Sequence, residues 1–120
     1  MAHSMRSMTA ERLDLFAAAW LRCDLEELRD FLTIDAIYSP LSGDVVRGRE
    51  AVTRRFAETL ADDGGSELRF ESAVVAGTLG ACRWHMCVRT ADGASFEIDG
   101  LDLYEFEGDR IRSKDVYQKA

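Results

Sequence analysis

The sequence predicts an α+β domain, with helices packed on one face of an antiparallel sheet. Two observations carry this prediction. Up to Ala61, apolar residues recur at helical spacing in three segments, and from Leu68 onward the period drops from 3.6 to 2. Turn signals at Asp92-Gly93 and Gly108-Asp109 then join the late segments as hairpins.

The elements follow in order. Thr9 caps a first helix, in which Leu13, Phe16, Ala17, Trp20 and Leu21 form one apolar face. Asp24 caps a second, with Glu27 placed for a capping box and Leu25, Leu28, Phe31 and Leu32 on its apolar side. Ala36 to Ser39 reads as a short strand ended by Pro40, and the segment LSGDVVRG as a loop or small hairpin. Arg49 to Ala61 is a third helix, carrying Val52, Phe56 and Leu60. The stretch ADDGGS ends it. Leu68, Phe70, Ser72, Val74 and Ala76 alternate as one strand face. Leu79 to Arg89, Ser95 to Phe106 and Arg110 to Gln118 complete the sheet.

The chain has 120 residues, enough for one domain with one core. Residues 1–8 are expected to be a tag or a disordered N-terminus, and 9–120 the domain. Net charge is −7 with no basic stripe, which argues against nucleic acid and anionic membranes as partners. No apolar run reaches the ~20 residues of a membrane span, and the N-terminus lacks a signal-peptide core. Cys23, Cys82 and Cys87 have neither disulfide-framework nor zinc spacing. They read as reduced thiols of a cytoplasmic protein. No metal spacing, phosphate loop or nucleophile elbow is present, so no cofactor is expected.

One residue breaks the pattern. In FEIDGLDLYEFEG, Phe96, Ile98, Gly100, Tyr104 and Phe106 share an apolar face with Asp102. Its cross-strand neighbours depend on the hairpin at TADGAS. A two-residue turn at Asp92-Gly93 puts Arg83, His85, Cys87 and Arg89 inside. A three-residue loop, Ala91 to Gly93, puts Cys82, Trp84, Met86 and Val88 inside instead. Burial favours the second, because the first buries cations at several kcal/mol each unless they are paired. His85 then faces outward.

The segments FAAAWLRCDLEEL, YSP, GREAVTRRF and DLYEFEGDRI, in that order, resemble the SnoaL-like, ketosteroid-isomerase-like branch of the nuclear transport factor 2-like superfamily, from about Thr9 to Gln118. The resemblance implies a cone: a curved sheet, as in cystatin-like folds, wrapped around three helices and leaving an apolar cavity. Ketosteroid isomerases use a protonated strand Asp and a helix Tyr as an oxyanion hole, with a second Asp as base. Asp102 stands at the strand-Asp position. Phe16 stands where the helix Tyr would be, Ser39 at the base, and Phe56 at a supporting Tyr, so steroid isomerisation by that set is not expected.

Asp102 is therefore the candidate acid or hydrogen-bond donor. Burial without a cation raises a carboxyl pKa above the ~3.9 of a free Asp, which suits a general acid. The bland alternative is a carboxylate that only supports the fold. Asp115 faces Asp102 if the last hairpin is tight, whereas a bulge there turns Lys114, Val116 and Gln118 inward. Tyr38, Ser39, Tyr104 and Tyr117 offer hydroxyls to a ligand, and Phe16, Trp20, Phe56, Trp84 and Met86 an apolar lining. Strand packing and plain core are the competing readings. The expected ligand is a hydrophobic, oxygenated molecule such as a polyketide, steroid-like compound or terpenoid. It is either transformed by an isomerase, cyclase or hydratase, or only bound. Leu101, Leu103 and Cys87 lie on the outer sheet face, where they point to a homodimer.

Overall fold

The structure is a computed structural model that describes residues 6–62 and 66–119. Three helices precede most of the sheet. Helix α1 (Ala10–Leu21) is capped by Thr9, whose side chain accepts from the Arg12 amide. Helix α2 (Leu25–Asp30) is capped by Asp24, which accepts from the Glu27 amide. The expected capping box is half formed: the Asp24 amide bonds the Ala19 carbonyl, and the Glu27 carboxylate pairs with Arg22. Phe31 and Leu32, read as part of α2, instead lead into strand β1 (Leu32–Ser39). A two-residue strand β2 (Val46–Arg47) pairs with β1, so LSGDVVRG is a small hairpin. Helix α3 (Arg49–Asp62) follows Gly48, whose φ of +93° suits glycine. Gly64 and Gly65, read as the stop of α3, lie outside the described residues.

The last five strands are β3 (Glu67–Phe70), β4 (Val74–Ala76), β5 (Leu79–Arg89), β6 (Ser95–Glu107) and β7 (Arg110–Gln118). The sheet runs β2-β1-β7-β6-β5-β3, with β4 also on β5. All pairings are antiparallel except β1 with β7. The segment from Leu68 to Ala76, read as one strand, is two. The break turns Val74 outward, 66% exposed, and brings Ala73 into the core, held by its amide on the Asp14 carboxylate at 2.8 Å.

Cys82 pairs with Asp102 and Trp84 with Gly100, so the three-residue hairpin is the one formed. Gly93 takes φ +88° and its amide bonds the Thr90 carbonyl. The core lies between the concave sheet face and the helices. Phe16 packs edge-on against Phe31, Phe56 and Tyr104, and Ile111 and Leu28 are fully buried. Met8, expected to lie outside the domain, is also buried, and its amide bonds the Gly108 carbonyl.

Candidate functional site

The period-2 strands aim alternate side chains into the cone. On β6 the buried positions are Asp102, Tyr104 and Phe106, between exposed Leu101, Leu103 and Glu105. Strand β7 would follow the same parity, but its register shifts between Glu105 and Phe106. One extra residue is absorbed between Ile111 and Lys114, so both point inward. Asp102 consequently pairs with Val116 rather than Asp115, and Lys114 lies opposite Tyr104.

The bulge creates a buried ion pair. Lys114 Nζ donates to Asp102 Oδ2 at 3.1 Å, and the Tyr104 hydroxyl donates to the same oxygen at 3.2 Å. The two charged side chains are 5% and 4% exposed. Lys114 Nζ also lies 4.9 Å above the Trp20 ring centre and 5.3 Å from that of Tyr38, within cation–π range. Burial pushes the Lys114 ammonium down in pKa, but the Asp102 carboxylate and Tyr38 outweigh it, and the net shift is upward. Burial likewise raises the Tyr104 hydroxyl, helped by Asp102, and lifts the Cys82 thiol to about 12. Lys114 is therefore a cation and Tyr104 a neutral donor at neutral pH. Asp102 Oδ1 is buried with no hydrogen-bond partner among the described residues.

This corrects the sequence reading of Asp102. The residue was expected to be desolvated without a cation and so to act as a neutral acid. A cation is present, and it comes from β7 rather than from Arg83. Replacing Asp102 by Asn would leave the Lys114 ammonium buried and uncompensated.

The pair lines a cavity of about 220 Å³. Of the residues expected to meet a ligand, Trp20, Tyr38, Trp84, Met86 and Asp102 line it. Phe56 is fully buried behind Trp20 and Tyr38, Phe16 is buried against Phe56, and Tyr104 does not line the cavity but meets the pair through its bond to Asp102 and its ring beside Lys114. Ser39 follows Tyr38 on β1 and is not among the lining residues. Tyr117 lies opposite Leu101 on the outer face, 53% exposed, because the bulge sets the parity of β7. Sequence reasoning missed Leu68, Phe70 and Val116 as walls, and Pro40, Leu41, Ser42, Arg55, Thr59 and Asp62 from the β1–β2 loop and α3. Arg55 bridges those two elements, donating to the Ser42 carbonyl at 2.9 Å.

Gly100 makes room for this wall. A Cβ there would fall 2.0 Å from Trp84 Cζ2 and 2.4 Å from the Tyr117 carbonyl oxygen. Glycine thus lets the Trp84 indole press close against β6. Among the described residues, no group of three or more His, Cys, Asp or Glu is placed to hold a metal ion. No helix among them is long and apolar enough to cross a membrane.

Residues 13–114 match the SnoaL-like domain family. No curated protein matches the chain. Among solved structures, an NTF2-like protein of unknown function from Mesorhizobium loti is similar at 24% identity and TM-score 0.74, covering 92% of this chain and 90% of that one. A putative polyketide cyclase from Pseudomonas putida is similar at 19% identity and TM-score 0.70, covering 94% and 93%. TerC, co-crystallised with polyporic acid, is similar at 14% identity and TM-score 0.74, covering 91% and 89%. At these identities the likeness establishes the fold.

Proposed function

The chain belongs to the SnoaL-like domain family, and we propose that it binds a hydrophobic, oxygenated small molecule and performs cofactor-free proton transfer on it. The reaction class is isomerisation, cyclisation or hydration. The observation that carries this reading is the Asp102–Lys114 pair in the wall of a cavity lined mainly by aromatic and aliphatic side chains. A purely structural role explains such a pair poorly, because apolar residues of similar volume stabilise a core equally well or better. Neighbours named as a putative polyketide cyclase and as a complex with polyporic acid support the ligand class.

In this reading the Lys114 ammonium donates to a ligand oxygen and stabilises negative charge developing there. Asp102 accepts and returns the proton on the adjacent atom. A second reading, a binding module without chemistry, is favoured by Phe16 and Ser39, which supply neither a phenol nor a second carboxyl.

Deuterium exchange beside the carbonyl of enolisable aromatic ketones, followed by NMR, tests the chemistry. Exchange should exceed the buffer rate and fall about a hundredfold or more in the Asp102→Asn/Lys114→Met double variant. Ligand-induced melting shifts without exchange would leave only the binding module. Neither signal would defeat both readings.

The proposal includes a cytoplasmic homodimer joined through the outer sheet face, where Leu101, Leu103 and Tyr117 are exposed. Light scattering should return a dimer mass at micromolar concentration, shifted toward monomer by Leu103→Lys. A monomeric wild type would rule the assembly out.

A further inference from the structure

We infer that the ligand of this cavity is a neutral, single-ring aromatic carbonyl compound whose oxygen accepts a hydrogen bond from Lys114. The inference rests on the pocket reading above and narrows it by size, shape and charge.

Size comes first. A dry cavity of about 150 Å³ holds a benzene molecule. The 220 Å³ here therefore admits one ring with a short substituent. Pockets for drug-sized ligands start near 300 Å³, above the volume here, so one ring suits it better than the four fused rings of a steroid. Shape agrees: Trp20, Tyr38, Phe70 and Trp84 are four aromatic walls around that volume, suited to a flat ring.

Charge decides the polar end. Lys114 has three N–H donors and one hydrogen-bonded acceptor, Asp102 Oδ2. With the pair almost wholly buried, only the tip of a ligand reaches it. A ligand carboxylate would place a second anion beside one cation in a poorly solvated site, which is costly. A carbonyl oxygen accepts from Lys114 and adds no charge. The rest of the wall does not change this balance: Arg55 and Asp62 bring opposite charges, and Arg55 also lies 3.8 Å from Glu58.

Four probes separate these elements: acetophenone, benzoate, ethylbenzene and progesterone, titrated against the full chain by calorimetry and by the fluorescence of Trp20 and Trp84. Acetophenone should bind about tenfold more tightly than ethylbenzene, the hydrogen bond being the difference, and at least as far above benzoate. Progesterone should not bind. In the Asp102→Asn/Lys114→Met double variant, which removes both charges together, the preference for acetophenone over ethylbenzene should vanish while ring binding persists. The infrared carbonyl stretch of bound acetophenone should lie at lower frequency in the wild type than in that variant. Benzoate binding as tightly as acetophenone would overturn the inference, as would a preference that survives in the double variant. Progesterone binding without acetophenone binding would keep the pocket reading and sink this one. Binding of none of the four would sink both.

Discussion

The sheet carries a charge cluster on each face, and the two live by different physics. On the concave face, Asp102 of β6 meets Lys114 of β7, both nearly sealed from water. On the convex face, His85 of β5 bonds Asp99 through Nδ1 and Glu71 through Nε2, the latter at 2.7 Å, with side chains a third to a half exposed. Asp99 and Asp102 are three residues apart on one strand, and the pleat alone sends them to opposite faces. Water screens the outer cluster, so its members can be exchanged cheaply. The inner pair has lost its hydration, so each partner depends on the other. Same-strand neighbours of like chemistry therefore have unlike value, and the concave one is where a functional role is worth seeking.

Breaking the inner pair is the largest expected effect. Lys114→Met leaves Asp102 buried beside Tyr104 alone and should cost about 3–5 kcal/mol in urea unfolding. Adding Asp102→Asn should recover much of that loss. A single variant as stable as wild type would mean the pair is not buried. The pH dependence follows from the same groups. Lys114, Tyr104 and Cys82 all have folded pKa values raised above their ordinary 10.5, 10.0 and 9.0. The native state thus holds protons that the unfolded chain releases. Their contribution is intact below about pH 9 and declines as pH rises, through about 12 for Cys82. Stability that is flat from pH 9 to 12 would contradict this.

A smaller effect tests whether the concave face is filled. Gly100→Ala puts a methyl 2.0 Å from Trp84 Cζ2 and 2.4 Å from a backbone carbonyl oxygen, so the indole must move. A cost of about 1–3 kcal/mol is expected, together with altered Trp84 fluorescence. Asp99→Ala, one residue away on the outer face, should disturb that fluorescence far less. Equal responses from the two variants would erase the distinction between the faces.

The same contrast explains what could be read from the sequence. The hairpin register was legible because one option buried arginines and the other buried Trp84 and Met86. Asp102 stood out because everything beside it on that face was apolar. Lys114 was visible only as one branch of an open choice. Its inward turn depends on one bulged residue after Ile111, and strict alternation hides a bulge. That residue also carried Tyr117 outward. Val74 was misplaced for a related reason: the break after Phe70 resets the parity, and the Asp14–Ala73 bond that anchors it joins residues 59 apart. Arg55, Thr59 and Asp62 were overlooked because α3 was read through its apolar stripe alone, while the cavity is walled by a different side of the helix.

The outer cluster gives the smallest and most local prediction. His85 has its pKa raised above 6.5, chiefly by the hydrogen bond to Asp99 and then by that to Glu71. Arg69 lies opposite it on β3, and partial desolvation opposes the shift. A raised folded pKa means the folded chain holds the proton more tightly. The stabilisation is therefore complete below pH 6.5 and fades as pH climbs through the higher folded value. Because the site is exposed, added salt should draw the His85 pKa back toward 6.5. The chain has 2 histidines, so imidazole NMR follows His85 directly, and His85→Gln assigns its signal. That variant should remove the small stability change near neutral pH while leaving the alkaline decline of the inner groups intact. A His85 pKa at or below 6.5 would show that its bonds to Asp99 and Glu71 do not persist in solution. A change in the alkaline limb would show that the two faces are coupled through β5 and β6 rather than independent.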